Sequence, residues 1–246
     1  LGLFNVKWII HVVKILKIYL ADITYDTVSI STEAFPLNVG FIATYCKKQF
    51  GENVDIKIFK YIDKLDKAIH DDPPHILAIS NYCWSHNVSS EIFKMMREIN
   101  PETLTVWGGP NFPMDVPSQE KFMAMHPEVD VYVPIEGEIG FSNIVKQVFK
   151  SNSEEKLRET LLDEPIENCV LRNKNGKLSH PISGNRIDDL TEIPSPYTSG
   201  LLDEFFDGKL TPMIQTNRGC PFHCTFCTDG KDEVNQVNNF SIDRVR

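Results

Sequence analysis

Strand-like and helix-like stretches alternate five times within the first 150 residues, and that rhythm leaves few folds open. Lys14 to Ile23, KILKIYLADI, is the first expected strand. Pro36 opens the first helix, PLNVGFIATYCKKQFG, and Gly51 closes it. Proline suits a first turn because its missing N–H would have no helical partner there, and glycine suits the end. Leu37, Phe41, Ile42 and Tyr45 recur at helical spacing, with Cys46 as a core thiol. Val54 to Ile62 is the second strand, with a short helix near Leu65 to His70 and a break at Asp71 to Pro74. His75 to Tyr82, HILAISNY, is apolar enough for a central strand covered on both faces. A helix is expected over Val88 to Ile99, capped by Asn87 or Ser89. Leu104 to Trp107 is the fourth strand, followed by Gly108-Gly109-Pro110. A helix over Val116 to His126, a strand over Val129 to Pro134 and an amphipathic helix over Phe141 to Phe149 complete the series. Strand and helix in strict alternation imply crossover connections and parallel pairing. The expected class is therefore α/β, with a doubly wound, Rossmann-like parallel sheet. Such sheets bind ligands at the carboxyl ends of their strands, near the switch in strand order.

Beyond residue 150 the rhythm breaks. Ser151 to Glu164 is charged and helix-prone, and Asn168 to Lys177 reads as a hairpin turning at Asn173 to Gly176. Cys169 on it is read as structural. Ile187 to Gly200, IDDLTEIPSPYTSG, reads as a weakly structured, proline-rich linker. Then comes TPMIQTNRGCPFHCTFCTDG, Thr211 to Gly230, where an apolar run at Met213 to Thr216 leads into Cys220, Cys224 and Cys227. Three thiolates spaced C-x3-C-x2-C on a loop can converge on one centre. They are one ligand short of a closed tetrahedral zinc site or a fully ligated iron–sulfur cubane. Two readings follow: a cluster with one iron left open, or a zinc site completed by His223, Asp229 or a residue from elsewhere.

The run RGCPFHCTFC resembles the signature of the radical S-adenosylmethionine (SAM) enzymes. The resemblance implies that Cys220, Cys224 and Cys227 ligate a 4Fe-4S cluster whose fourth iron takes SAM. It places Phe226 beside the SAM adenine and makes Thr211 to Asn217 the first strand of a catalytic (β/α) partial barrel. It also implies a 5′-deoxyadenosyl radical, an external one-electron donor of flavodoxin or ferredoxin type, and a small-molecule substrate. Only nineteen residues follow Cys227, so the barrel is incomplete and the chain reads as a fragment of a longer protein.

The front half resembles the cobalamin-binding domain that precedes the barrel in one subgroup of these enzymes. PLNVGFIATYC, ISNYCWS, VWGGPNFP, IEGEIGF and the linker IPSPYTSG stand in matching order. The implied division is a cobalamin-binding-like domain over 1–150, a linker with a hairpin over 151–208, and the start of a radical SAM core over 209–246. Implied cobalamin contacts are Ser80, Gly108, Gly109 and the backbone around Gly137. Glycine suits such a place because it has no Cβ to hold a ligand away. Trp84 and Trp107 flank the ligand end and could wall a corrin ring, or be packed. Glu136 and Glu138 are expected as charges of a solvated loop or of a helix start, and His86 as a solvated turn residue. One feature departs from the pattern: ADITYDTVSIST lacks the histidine of D-x-H-x-x-G, so the lower face of cobalt is not held by that residue. The function implied is radical SAM catalysis with cobalamin, as methyl transfer or rearrangement. The alternative is a cobalamin-binding carrier or sensor with a structural zinc–cysteine site.

Net charge is −9 over 246 residues with no basic block, which argues against nucleic acid as a partner. Lysines interrupt the apolar residues 1–20, and no uncharged run reaches the about 18 residues that span a bilayer. Six cysteines, three of them clustered, fit a metal site in a reducing, cytoplasmic compartment better than a disulfide framework.

Overall fold

The computed structural model describes residues 15–25, 33–151, 157–162, 164–173, 175–181, 186–225, 227 and 235–245. Five strands alternate with five helices as the sequence predicts: β1 Leu16–Thr24, α1 Leu37–Phe50, β2 Val54–Tyr61, α2 Ile62–Asp71, β3 Ile76–Ser80, α3 His86–Ile99, β4 Leu104–Gly108, α4 Val116–Met125, β5 Val131–Val133 and α5 Gly137–Lys150. The five strands are parallel in the order β2-β1-β3-β4-β5, so the winding direction reverses between β1 and β3. Both faces are covered, which is why the strands read as continuous apolar runs. Along β1, Ile18 and Leu20 join one core cluster with α1 and α5, while Tyr19 and Ala21 join a second with α3 and Trp107. Successive side chains point to opposite faces, so one strand feeds both layers.

Local chemistry sets the helix limits. Pro36 is the N-cap of α1, and Gly51, at φ +56°, donates its N–H to the Lys47 carbonyl at the other end. Asp115 caps α4 by accepting from the Ser118 N–H at 3.0 Å. The start of α3 differs from expectation. The helix begins at His86 behind Ser85, ahead of Asn87 and Ser89. Ser89 is instead buried, donating to the His86 carbonyl and accepting from Trp107 Nε1 at 3.1 Å.

After α5 the chain forms a one-turn helix, α6 Leu157–Leu161, and then the expected hairpin: β6 Val170–Arg172 and β7 Leu178–Ser179. The hairpin joins the main sheet, with β6 antiparallel to β5. The proline-rich stretch has little regular structure but is firmly packed. Leu190, Ile193, Leu202 and Phe205 are fully buried, and Thr44 of α1 donates to the Pro194 carbonyl at 2.9 Å. Apolar anchors spaced along a proline-stiffened chain hold it without ladder hydrogen bonds.

The strand expected over Met213 to Thr216 does not form. Met213 and Ile214 are exposed, and these residues have no partner strand among the described residues. An apolar run becomes a strand only when its backbone groups are paired. Pairing is confined to an isolated bridge between Thr211 and Ala34, and to a two-residue ribbon of β8 Asn217–Arg218 with β9 Asn238–Asn239. A short helix, α7 Ile242–Val245, follows. No helix among the described residues is long and apolar enough to cross a membrane.

Candidate functional site

A cavity of about 970 Å³ opens at the carboxyl ends of β1, β3, β4 and β5, where the strand order reverses. Reversal splays the crossover helices to opposite faces, and the gap they leave is the cavity. Ser80, Gly108, Gly109 and Gly137, the four front-half positions singled out from the sequence, all line it. Leu20, Phe41, Ile42 and Val106 supply apolar wall. Asn38, at the start of α1, donates to Ser80 Oγ at 3.0 Å and to the Tyr82 hydroxyl at 3.2 Å. Tyr82 stacks on Trp84, with ring centroids 4.6 Å apart and planes at 5°. Trp84 is 47% exposed and lines the cavity.

The glycines have separable roles. Gly109 has φ +120°, and a Cβ there would lie 3.0 Å from the Asn81 carbonyl oxygen. Asn81 N–H in turn donates to the Gly108 carbonyl at 2.6 Å, so two strand-end loops cross at backbone distance. Gly137 serves packing as well as the cavity. A Cβ on it would come within 2.5 Å of Ile42 Cδ1, so its bareness lets α5 close onto α1.

Three expectations need correction, for Glu136, Glu138 and His86, while for Trp107 the packed alternative holds. Glu136 and Glu138 do stand at the start of α5, as N-cap and first-turn residue, but they are buried ion-pair partners and not solvated. Glu136 accepts from Arg186 Nε at 3.2 Å and from the Ile187 N–H at 2.8 Å. Glu138 takes a two-pronged contact from Arg218, at 3.1 and 2.6 Å. Trp107 is fully buried in the core cluster with Phe93. His86 packs on Trp107, Phe122 and His126 and holds Asn81 Oδ1 at 3.0 Å. Burial lowers its pKa, helped by the neighbouring His126.

Several cavity residues escaped sequence reasoning. Lys60, 2% exposed, donates to Asp22 Oδ2 at 3.1 Å from the adjoining strand, and burial pushes the Asp22 carboxyl up against the pull of that lysine. The available signal was a charge at the end of each of two apolar strands. Arg218 and Arg186 carried no signal, because their partners lie 80 and 50 residues away.

Of the cysteines, Cys220 and Cys227 are half-buried and Cys224 is exposed, with the Cys227 N–H donating to the Cys224 carbonyl at 3.1 Å. Among the described residues no three His, Cys, Asp or Glu side chains are gathered as a metal ion requires. Phe226 and Asp229 lie outside the described residues. His223 lies 3.3 Å from Asn235 Nδ2. Cys46 is fully buried against Ser142 Oγ, and burial pushes its thiol up to about 12. Cys169 is buried against the Gly140 carbonyl and its pKa is likewise raised. Gly219 has φ +91°, and a Cβ there would sit 2.1 Å from the Gln236 carbonyl oxygen. Only glycine fits between Arg218 and Cys220. Arg218 and Gly219 also line the strand-end cavity, so the lead-in to the cysteines forms part of its wall.

The family model described as B12 binding domain matches residues 23–145, half of the chain. The chain belongs to the B12-binding domain family. The cavity fits such a ligand: apolar walls suit a corrin face, while Asn38, Ser80 and Tyr82 offer polar atoms to the amides at its edge. The volume lies at the upper end of the range for small-molecule sites. The 2-(S-pantetheinyl)-carbapenam-3-carboxylate methyltransferase of Streptantibioticus cattleyicolor is 30% identical, over 86% of this chain and 31% of the relative. The cobalamin-dependent radical SAM methyltransferase TokK of Streptomyces tokunonensis is 30% identical over 70% of this chain and 24% of its own. An uncharacterized methyltransferase of Pyrococcus horikoshii is 25% identical over 88% of this chain and 45% of the relative. The chain thus spans less than half the length of each. Among solved structures, the cobalamin-dependent SAM radical enzyme OxsB with aqua-cobalamin and SAM bound superposes with a TM-score of 0.67. It is 18% identical, over 94% of this chain and 30% of that one. At that identity the likeness is one of fold.

Proposed function

We propose that this B12-binding domain works with the cysteine segment as one part of a radical SAM methyltransferase acting on a small molecule. The observation that carries this reading is the shared wall: Arg218 and Gly219, directly ahead of Cys220, line the cavity at the strand ends. The relatives named as methyltransferases, and the RGCPFHCTFC motif, support it.

In this reading Cys220, Cys224 and Cys227 hold a 4Fe-4S cluster with one iron free for SAM, and Phe226 packs beside the adenine. Cobalamin would sit in the strand-end cavity, against Ser80, Gly108, Gly109 and the backbone at Gly137. Together these groups would supply one-electron cleavage of SAM and a transferable methyl group. The protein's own contribution is position and exclusion of water. Asn38 holds the Ser80 and Tyr82 hydroxyls in place, and the Tyr82–Trp84 stack shields one side of the cavity mouth. We place 1–150 as the cobalamin domain, 151–208 as the connecting segment and 209–246 as the start of the catalytic core, in a cytoplasmic enzyme served by a flavodoxin- or ferredoxin-type donor.

The test uses the full-length protein, reconstituted without oxygen, with iron, sulfide, zinc and cobalt measured in one sample. About four irons and four sulfides per chain, lost when the three cysteines become alanine, with cobalt retained in both samples, is the expected result. One zinc without sulfide would replace this reading with a cobalamin carrier holding a structural metal site.

A further inference from the structure

The segment that carries the cysteines has little to hold it. Residues 211–214 are exposed, the β8–β9 ribbon has only two register pairs, and Cys224 is open to solvent. Neutral contacts hold it at Met213, through the Tyr197 hydroxyl, and at Asn238 and Phe240, and its charged attachments are two buried ion pairs. Arg218, with 14% of its side chain exposed, meets Glu138, at 4%, through both arms of its guanidinium, which also lies 5.5 Å over the Phe41 ring. Arg186, at 10%, meets Glu136, at 7%, and its Nη1 donates to the Gln236 carbonyl at 2.8 Å. β8 and the residues just ahead of β9 are thereby each tied to a carboxylate flanking Gly137. All five of these residues (Glu136, Gly137, Glu138, Arg186 and Arg218) line the cavity.

Burying charge needs a reason other than stability. An apolar pair of equal volume is often as stable as a buried ion pair, whereas the forked arginine–carboxylate contact fixes one orientation. Cys220 stands two residues past Arg218, across a glycine at φ +91° packed too closely on the Gln236 carbonyl to carry a Cβ. Fixing the guanidinium therefore fixes where the first cysteine can lie.

We propose that Arg218 and Glu138 are positioning residues: their buried fork, with Arg186–Glu136 beside it, sets the cysteine segment in register with the cavity. This rests on the proposed function for its purpose but not for its test. Hydrogen–deuterium exchange would be followed on the full-length, metal-free protein, as wild type, Glu138→Gln and Arg218→Lys, with Glu91→Gln as a control at an exposed pair with Lys94. Glu138→Gln is expected to speed exchange over 213–225 by about tenfold or more, with β1 and β3 unchanged, as local opening requires. Arg218→Lys keeps the charge but loses the fork, so it should fall between, and it decides the matter if Glu138→Gln does not fold. Unchanged exchange over 213–225, or a rise spread evenly over the whole sheet, would overturn the proposal. Aquacobalamin added to the same samples separates the two claims. Failure to bind sinks the cobalamin reading, while the metal-free comparison still judges the tether.

Discussion

Gly140 offers a clean test of how tightly the wall behind the cavity is packed. It sits in the second turn of α5, where alanine would ordinarily stabilise a helix by roughly 1 kcal/mol over glycine. Here the added Cβ would lie 2.5 Å from Val133 Cγ1 and 2.9 Å from the Asn168 carbonyl oxygen. Neither neighbour can yield cheaply. Val133 is β-branched and stiff at χ1, and Asn168 is a corner residue with φ +60°. Overpacking of this kind costs about 1–3 kcal/mol, which outweighs the propensity gain. Gly140→Ala should therefore lose about 1 kcal/mol net, and a urea slope near 2 kcal/mol/M turns that into a midpoint lowered by roughly 0.5 M. Gly137→Ala is the contrast. Its close neighbours are Cδ1 and Cγ1 of one side chain, Ile42, with no backbone atom among them, so its midpoint should fall by less than that of Gly140→Ala. Urea melts by circular dichroism would measure both. A midpoint for Gly140→Ala equal to or above wild type would refute the claim that α5 is held against β5 and the hairpin corner without slack.

Three further outcomes are expected. In the native metal-free protein, alkylation followed by mass spectrometry should label Cys83 and Cys224 quickly and leave Cys46 and Cys169 intact until urea is added, because the latter two are buried with raised thiol pKa values. Trp84→Ala should weaken aquacobalamin binding about two- to tenfold in an absorbance titration, the usual worth of an aromatic contact; an unchanged affinity would remove Trp84 from the site. His86 has a pKa lowered by burial, so the folded protein binds that proton less readily than the unfolded chain. Its contribution to stability is complete above the ordinary imidazole value of about 6.5 and is lost as pH falls through the lower folded value. Wild type should therefore lose more urea resistance between pH 7 and pH 5 than His86→Gln does.

The sheet was legible because its information is local. Period, proline and glycine marked each strand and helix of the alternation, although α5 begins at Gly137 and not at the expected Phe141, and apolar continuity marked β3 as covered on both faces. Ser80, Gly108, Gly109 and Gly137 were legible for the same reason: they follow expected strands, and the fold class puts strand ends at the ligand. What stayed hidden depends on distance. Glu136 and Glu138 look like loop charges until Arg186 and Arg218 arrive from 50 and 80 residues further on. His86 looks like a turn residue until α4 brings His126 and Phe122 to its ring. Met213 to Thr216 shows the opposite failure. Its composition favours a strand, but ladder pairing decides strands, and among the described residues it meets single hydrogen bonds from Tyr197 and Phe240 in place of a partner strand.

The antiparallel hairpin that closes one side of the sheet also covers an edge that would otherwise lie open. A bare parallel edge at β5 would present a row of unpaired amides and carbonyls able to template a neighbouring chain. β6 takes up that row, and the new boundary, β7, is only two residues long. At the far boundary β2 turns Asp55 and Lys57 outward between its buried residues. A sheet of this length with one clipped margin and one charged margin resists growing into a fibre, and so stays available to receive a ligand at its end.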